Sequence, residues 1–445
     1  LLPTFTNVGT LVGVYRIEAA HSKVLCVFSN TNPTGPYRGA GRPEASYVIE
    51  RLIDEAADEI DMDPAELRRR NVLSSEEMPY KTALTFSYDC GEFNKNMEQA
   101  LQISDYNSFA ERKTEAKNRG MLRGIGIANA IEAAAAPGPD FAEIRFSTDG
   151  TATILMGTKN QGQGHETMYK QIAGEFLGVD SEDIRVVDGD TDQVAFGLGT
   201  MGSRSMVIGG TSLFLAAEKI VKKGTKIAAH LLEASEQDIE FESGNFKISG
   251  TDKSITLKEV AKASFLPAKI PDGTEPGLYE TGSFSPDENT FPNGCHVVEV
   301  EIDPETGRVV IVNYTMVDDV GNIINPKTLK GQIQGGIAQG VGQILMEEVA
   351  YDEKSGQLIS GSLMDYAMPR ASDMCLSLEI ISNSVPTKLN PLGVKGGGEA
   401  GTVGAMPGVM NAIVNALSQV GVSQFEMPAT PNRIWQAIDE ARTAQ

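Results

Sequence analysis

The chain has 445 residues, of which 41% are apolar and 22% are charged, a composition typical of a globular protein. Acidic residues outnumber basic ones by 60 to 38, and the formal charge of −22 repels nucleic-acid phosphates and anionic membranes. We therefore expect no nucleic-acid partner. The length favours about two or three domains, and the lack of an apolar run of about 18 residues predicts no membrane span.

The cysteines are too scattered for a zinc or iron–sulfur motif, because Cys26, Cys90, Cys295 and Cys375 include no C-x-x-C pair. We expect free, buried thiols, a reducing cytoplasmic location and no metal ligands among the side chains of this chain. The first residue is Leu rather than Met, so we also expect a mature product or a fragment.

The first part of the chain predicts short strands over residues 11–30, then a turn-rich stretch and a helix in which Pro43 is the first residue. Asp63 and Pro64 predict the start of a second, short helix. Apolar residues recur every four positions in the first helix, and this spacing predicts a face buried against a core. The residues of that face are Val48, Leu52, Ala56 and Ile60.

Polar, helix-forming sequence over residues 92–120 is typical of a connection, and we divide the chain into domains 1–85 and 86–445. Beyond it, turn residues predict hairpins at Asp149 and Gly150, near Gly244, and over residues 304–307. We expect antiparallel strands here and helices between them. The predicted helices cover residues 166–177, 206–234, 327–346 and 407–420, which gives an α+β class with mixed antiparallel sheets and helices.

The stretch "KGGGEAGTVG" contains a G-x-G-x-x-G pattern at Gly396, Gly398 and Gly401. A dinucleotide site needs a strand that runs into the first glycine and an acid about 20 residues later, and neither requirement is met. An acidic side chain, Glu399, also lies inside the turn. Either Glu399 only stabilises the N-terminus of the next helix, or the glycines leave its carboxylate as a positioned general base.

Three further loops place glycine, hydroxyl and amide residues before a helix: "GQGHET", "GLGTMGSRSM" and "KGQIQGGIAQG". Each can be an ordinary helix start or a site for phosphate on free backbone N–H groups. Taken alone, His165 is more typical of a hydrogen-bonded histidine in the protein core than of a metal ligand. Together, loops rich in neutral donors and poor in Lys and Arg indicate a large, polar, phosphate-bearing cofactor held mainly by backbone and neutral groups.

The ordered motifs "PYRGAGRPEA", "GQGHET", "GTMGSRS", "GQIQGGIAQG" and "NPLGVKGGGEAGT" resemble the molybdopterin-binding large subunit of the xanthine oxidase family. The resemblance covers the whole chain and is greatest for the carbon monoxide dehydrogenase branch and for relatives that act on aldehydes and N-heterocycles. It implies a two-domain molybdopterin-binding architecture. It also implies that residues 1–85 are the C-terminal remainder of the first domain and 86–445 the second.

The resemblance implies that Glu399 is the catalytic base, which deprotonates a molybdenum-bound hydroxyl group, and that Arg38 lies beside the molybdenum. It further implies a molybdopterin cytosine dinucleotide with molybdenum, and electron transfer to iron–sulfur and FAD partner chains in a dimer of heteromers. The residues it assigns to cofactor binding are Gln163, Gly164, His165, Gly202, Ser203, Ser205, Met206, Gln332, Gly396, Gly397 and Gly398.

The chain departs from the family pattern in three places. Gly39 stands where carbon monoxide dehydrogenase has a copper-binding cysteine, and Ala40 stands where purine oxidisers have a stacking phenylalanine, so we expect neither substrate. An N-terminal portion with another Gly-rich segment is also missing, and a separate polypeptide is expected to supply it unless the chain is a fragment. The alternative function is a non-catalytic cofactor-binding or assembly module that lacks metal.

Overall fold

The computed structural model describes residues 2–374 and 377–444. The α-helices are α1 (Leu2–Asn7), α2 (Arg42–Glu59), α3 (Pro64–Asn71), α4 (Phe93–Ile103), α5 (Phe109–Asn118), α6 (His165–Leu177), α7 (Thr211–Leu232), α8 (Leu257–Ala263), α9 (Pro326–Leu345), α10 (Ala400–Leu417) and α11 (Pro431–Ala444). The strands are β1 (Tyr80–Lys81), β2 (Ser87–Tyr88), β3 (Leu122–Ile131), β4 (Asp140–Phe146), β5 (Ala152–Met156), β6 (Ile184–Asp188), β7 (Ile239–Glu242), β8 (Asn245–Ile248), β9 (Ser254–Thr256), β10 (Tyr279–Phe284), β11 (Asn293–Ile302), β12 (Val309–Asp319) and β13 (Leu378–Ser382). These mixed sheets and helices confirm the predicted α+β class.

One four-stranded sheet has the order β10-β4-β5-β6, and α7 packs against β10 and β4. Ile144 of β4 and Ile154 of β5 share a core with Leu213 and Ile220 of α7, and all four side chains are fully buried. A three-stranded sheet, β7-β8-β9, and the helices α6 and α8 border the same core. This half of the molecule therefore presents the loops before α6 and α7 on a rigid support.

The second four-stranded sheet has the order β13-β12-β11-β3, and α10 lies directly on β3 and β11. Glycines in β3 make this approach possible, because a Cβ atom at Gly124 would stand 2.0 Å from the Ala412 carbonyl oxygen and one at Gly126 2.3 Å from the Gly408 carbonyl oxygen. The helix α10 is buried almost all round, as its largely apolar sequence favours. The loop that ends at α10 is thereby fixed to the core.

The three predicted hairpins are confirmed: β4 pairs with β5, β7 with β8, and β11 with β12, all antiparallel. The expectation that neighbouring strands in this half are antiparallel throughout is wrong. The pairs β5–β6 and β12–β13 are parallel. A helix follows β5 and precedes β6, and α9 lies between β12 and β13, so each connection is a crossover, which a local turn signal does not reveal.

The buried face predicted for α2 is wrong, because Val48, Leu52 and Ile60 are each more than half exposed. The same four-residue spacing also occurs at Ile49 and Ala57, and this second face is the one buried. Small residues on it let α2 lie close to α10. The start of α3 is confirmed, with Asp63 accepting hydrogen bonds from two backbone N–H groups.

Two other boundaries differ from prediction. The last long helix begins at Ala400, directly after Glu399, and Pro407 lies inside it, because burial on all sides stabilises a helix that a proline interrupts. Residues 11–30 contain no strand, and residues 16–37 form neither helix nor strand. In this stretch Tyr15 makes only an isolated bridge to Val72.

The thiols are free at three cysteines, but only Cys295 is fully buried; Cys26 is exposed because it lies in the irregular segment, and Cys90 is half-buried. Cys375 lies outside the described residues. Within residues 2–374 and 377–444, no helix is both long and apolar enough to cross a bilayer. The division of the chain after residue 85 stays a prediction.

A buried ion pair joins β12 to the loop before α10. Lys395 Nζ lies 2.5 Å from Asp319 Oδ2, and neither side chain is exposed to solvent. Asn293 donates to the same oxygen, while the backbone N–H groups of Gly321 and Val385 donate to Oδ1. Both Asp319 oxygens are therefore saturated with donors.

We expect Lys395→Met to lower the free energy of unfolding by about 3–5 kcal/mol, because it leaves the Asp319 carboxylate buried without a counter-charge. The matched control is Lys95→Met, which removes the exposed ion pair with Glu92 and is expected to change stability little. Denaturant unfolding of both variants measures the difference. Equal losses in the two variants would contradict the importance given to the buried pair.

Candidate functional site

Four loops, before α2, α6, α7 and α10, converge with α9 on a cavity of about 540 Å³. This volume lies within the range of small-molecule and cofactor sites, about 300–1,000 Å³. The site residues predicted from the sequence that line it are Arg38, Gln163, His165, Gly202, Ser203, Ser205, Met206, Gln332, Gly396, Gly397, Gly398 and Glu399. Gly164 does not line the cavity; it precedes α6 in a left-handed conformation.

Glu399 lies at the end of the glycine loop, where its side chain is mostly buried but reaches the cavity wall. Its Oε1 accepts the Gly39 N–H at 3.0 Å, and its Oε2 accepts from Arg42 Nη2 at 3.3 Å and from Ser203 Oγ at 3.0 Å. Burial alone would raise the pKa of Glu399, but the Arg42 charge and the surrounding hydrogen bonds lower it below the ordinary value. The group is therefore ionised at neutral pH.

The carboxylate of Glu399 makes no capping hydrogen bond to α10, although the residue occupies the N-cap position. Its oxygens instead meet groups from the loops before α2 and α7. These hydrogen bonds do not support the hypothesis that Glu399 only stabilises the N-terminus of α10.

Arg38 joins three parts of the cavity wall. Its Nε donates to the Gly398 carbonyl oxygen at 2.7 Å, and its terminal nitrogens donate to Gln339 Oε1 and to both oxygens of Gln332 at 3.0 Å. Burial lowers the pKa of Arg38, while the nearby carboxylates of Glu399 and Glu132 act in the opposite direction. An arginine stays charged in proteins, so these bonds hold the glycine loop at any ordinary pH.

His165 is the first residue of α6, and its ring is buried at the cavity with Nδ1 lacking a hydrogen-bond partner. Burial lowers the pKa of His165 to about 4, so the ring is neutral at neutral pH. No side chain caps α6 at Gly164. The Nδ1 atom of the neutral ring can donate to or accept from a bound group, depending on the tautomer, and the first N–H groups of α6 can donate to it.

Ser203 stands between two chain segments in a left-handed conformation, with φ of 55°, which is uncommon for a residue other than glycine. Its Oγ accepts the backbone N–H of Glu399 at 3.1 Å as well as facing the Glu399 carboxylate. Ser205 and Met206 begin a π-helical turn, Ser205–Gly210, and such turns are frequent at functional sites. The strain places the hydroxyl against the glycine loop.

The sequence analysis missed three groups that contact the predicted residues: Arg42, Glu132 and the Gly39 N–H. Arg42 lies in the same "PYRGAGRP" stretch as Arg38, and the sequence alone does not show that both arginines reach the site. Glu132 has a weak signal, because it is a lone acid after a run of apolar strand residues, and a buried acid there needs a partner. A search for such isolated acids could have found it.

Comparison with known proteins adds the decisive observation. Residues 99–375 match a family model described as "Molybdopterin cofactor-binding domain", and residues 2–72 match a second model with the same description. The chain belongs to the xanthine oxidase family of molybdopterin-binding large subunits. The resemblance inferred from the motifs is thereby confirmed.

Among curated relatives, the chain is 36% identical over 450 residues to the carbon monoxide dehydrogenase large chain of Hydrogenophaga pseudoflava, covering 97% of this chain and 55% of the relative. It is also 36% identical to the nicotine 6-hydroxylase large subunit of Paenarthrobacter nicotinovorans, covering 96% of this chain and 54% of the relative. The chain thus spans about half the length of the curated relatives it matches.

Solved structures agree with the fold. Quinoline 2-oxidoreductase from Pseudomonas putida 86 is similar to this molybdopterin-binding chain with a TM-score of 0.93 and 33% identity, over 99% of this chain and 57% of that one. Reconstituted CO dehydrogenase from Oligotropha carboxidovorans gives a TM-score of 0.86 and 34% identity, over 92% and 52%.

The residues at the cavity fit the molybdopterin cofactor. The buried His165 Nδ1 has no hydrogen-bond partner in the protein and is available to a bound group, and a Cβ atom at Gly162 or Gly202 would meet nothing within 4 Å. The backbone at these glycines is therefore open to a bound group. Among the described residues, no group of three or more His, Cys, Asp or Glu side chains is placed to hold a metal ion.

Two glycines of the loop before α10 predict different responses to an added methyl group. A Cβ atom at Gly396 would lie 2.1 Å from the Ser203 carbonyl oxygen, whereas one at Gly398 meets no atom closer than 3.4 Å. We expect Gly396→Ala to lower the free energy of unfolding by about 1–3 kcal/mol through overpacking. Gly398→Ala is the control, and thermal unfolding that ranks the two variants the other way would contradict this loop geometry.

Proposed function

We propose that the chain is the substrate-oxidising subunit of a molybdenum hydroxylase that acts on an aldehyde or an N-heterocyclic or aromatic compound. The reaction inserts an oxygen derived from water into the substrate. It releases two electrons, which leave through iron–sulfur and FAD partner chains. One observation carries this proposal: an ionised carboxylate, Glu399, lies on the wall of a cofactor-sized cavity and is held there by Arg42 and Ser203.

Glu399 is suited to act as the general base. Its Oε2 accepts two hydrogen bonds, whereas Oε1 accepts one, from Gly39, and so keeps a lone pair for a proton. The molybdenum cofactor, when bound, supplies the water-derived oxygen and accepts the electrons. Arg38 orients the Gly398 carbonyl oxygen next to the base, and Arg42 stabilises the ionised form of Glu399.

We infer that the cofactor is the cytosine dinucleotide form. Its phosphates would be held by N–H groups at the start of α6 and along the glycines near Gly162 and Gly202, and its pterin by the amides of Gln163 and Gln332. Most hydrogen-bond donors on this wall are backbone N–H groups, amides and hydroxyl groups, as expected for a cofactor that is bound through many neutral hydrogen bonds. Release of CMP on acid treatment of the complex would identify the nucleotide.

The loop before α2 limits the substrate. Gly39 has φ of 99°, and a Cβ atom there would lie 2.2 Å from Pro43 Cγ, so a cysteine at this position does not fit the loop. A copper thiolate of the kind implied for carbon monoxide oxidation is therefore not proposed. Ala40 is also too small to stack on a purine ring. These two positions favour an aldehyde or another heterocycle.

Glu399→Gln in the complex purified from its native source is expected to lower turnover by about 10²–10⁴-fold, since the amide cannot take the proton. The molybdenum and CMP contents of the variant are expected to equal those of the wild type. Turnover with a panel of aldehydes and N-heterocycles, together with metal analysis, measures both.

Glu426→Gln serves as the matched control because Glu426 is exposed and lies outside the cavity lining. Full turnover of Glu399→Gln would remove Glu399 from the role of base. An intact, partnered complex without molybdenum would instead favour the non-catalytic assembly module.

Two segments of the chain carry large exposed apolar side chains, and one of them precedes Arg38 at the cavity. We name them together the apolar rim, and its residues are Val24, Leu25, Val27, Phe28, Ile359, Leu363, Met364 and Met368. Its two segments meet where the Asn32 N–H donates to the Tyr351 hydroxyl at 3.0 Å. Phe28 is completely exposed and Met364 is 91% exposed, so both segments present large apolar side chains to water.

We propose that the apolar rim is covered by a polypeptide equivalent to the remaining part of the large subunits. The curated relatives are about twice as long as the stretch they share with this chain, and they are named as subunits of larger enzymes. Arg38, which lines the cavity, follows the first rim segment in the chain, so a polypeptide bound to the rim could also reach the pocket. Burial of these side chains would contribute about 25 cal/mol per Å² of apolar surface.

Hydrogen exchange tests this binding surface. Peptides from residues 16–37 and 359–368 are expected to exchange rapidly in the isolated chain and slowly in the native complex. Phe28→Ser with Leu363→Ser should reduce co-purification of the molybdopterin-domain partner, whereas Leu266→Ser, at an exposed position outside the rim, should not. Equal exchange in both states, or protection by a second copy of this chain, would contradict the proposal.

A further inference from the structure

A second carboxyl group, Glu132, lies directly behind Glu399. It follows β3, is 1% exposed, and its Oε1 lies 3.2 Å from Arg42 Nη2 and 3.1 Å from Ser203 Oγ. Both of these donors also contact Glu399 Oε2. Two carboxyl groups from distant parts of the chain therefore share one guanidinium and one hydroxyl.

The available protons do not satisfy two carboxylates. The Ser203 hydroxyl has one proton, so it donates to only one of the two acids while it accepts the Glu399 N–H. Glu132 Oε2 is buried and finds no N–H or O–H donor. A proton on Glu132 would neutralise this poorly solvated group and remove the repulsion between two like charges.

The surroundings of Glu132 offer no other solution. The cleft beside it is lined mostly by apolar residues, including Met316 and Val403, and has no room for a water molecule. The amide of Asn293, which also lines it, is bonded to Asp319, Phe291 and Asn96. The charged groups that face it are Arg42 and Arg38, from the segment that enters α2, and Glu399, from the loop before α10. An ionised Glu132 would thus be poorly solvated and opposed by a neighbouring negative charge.

We propose that Glu132 and Glu399 form a carboxyl pair that shares one proton, carried by Glu132, and that Glu132 is a positioning residue which keeps Glu399 ionised and aimed at the cavity. Burial and the charge of Glu399 raise the pKa of Glu132 well above its ordinary value. The hydrogen bond between the two groups lowers the pKa of Glu399. The second part of this inference rests on the proposed role of Glu399 as base.

The pH dependence of folding tests the shared proton without any turnover. In the unfolded chain Glu132 ionises near its ordinary pKa of about 4.3. Above about pH 5, unfolding of the wild-type chain therefore releases the proton of Glu132, whereas unfolding of Glu132→Gln releases no proton from this position. A raised pKa makes its contribution to stability fall as pH rises. The unfolding constant of the wild-type chain is therefore expected to increase about tenfold per pH unit relative to Glu132→Gln, up to the raised pKa.

The lowered pKa of Glu399 acts in the opposite direction and only below this window, so it does not mask the effect. Parallel pH dependences in wild type and Glu132→Gln would overturn the shared proton. If Glu132→Gln does not fold, infrared spectroscopy of the wild-type chain with ¹³C-labelled glutamate decides instead. A protonated glutamate band at neutral pH is expected, and its absence would overturn the proposal.

The positioning role is tested in the native complex by the pH profile of kcat/KM. Glu132→Gln keeps an N–H donor toward Glu399, whereas Glu132→Met removes it at similar volume. We expect the acidic limb to move to higher pH in Glu132→Met and to stay near its wild-type position in Glu132→Gln. The same limb in both variants would overturn the positioning role, while full turnover of Glu399→Gln would overturn only the proposed function.

Discussion

The buried ion pair between Lys395 and Asp319 fixes the loop on which the whole site depends. Lys395 lies four residues before Glu399, and the glycines between them cannot set the position of the carboxylate by themselves. The pair ties that loop to the end of β12, while α10, buried on all sides, holds its other end. A flexible sequence thus becomes a rigid support, as a positioned base requires.

The two buried acids near this loop differ in how completely they are satisfied. Asp319 receives two donors on each oxygen, and such a saturated group has only a structural role. Glu132 has an oxygen with no N–H or O–H donor, beside a second carboxyl group. In a low-dielectric interior, an unsatisfied carboxyl is costly, so its presence next to Glu399 indicates function rather than packing.

Local signals in the sequence were sufficient for features that depend on local chemistry. Turn residues located the three hairpins, and the motif glycines located the cavity wall around Glu399. Features decided by tertiary packing were not accessible: α2 has two faces with the same apolar spacing, and only packing against the rest of the fold buries the one that contains Ile49. Tertiary packing also explains why Pro407 lies inside a helix. It likewise brings Glu132 next to Glu399, although the two residues are more than half of the chain apart.

The hydrogen bonds of Arg38 hold the geometry of the cavity wall without any group that titrates near neutral pH. One guanidinium links the Gly398 carbonyl oxygen with Gln332 and Gln339, so segments distant in sequence move as one wall. An arginine does not lose its proton in a protein, and amides do not titrate, so this wall is the same at every working pH. His165 is already neutral, because burial lowers its pKa to about 4. In the proposed carboxyl pair, the protonation of Glu399 would set the acidic limit of turnover.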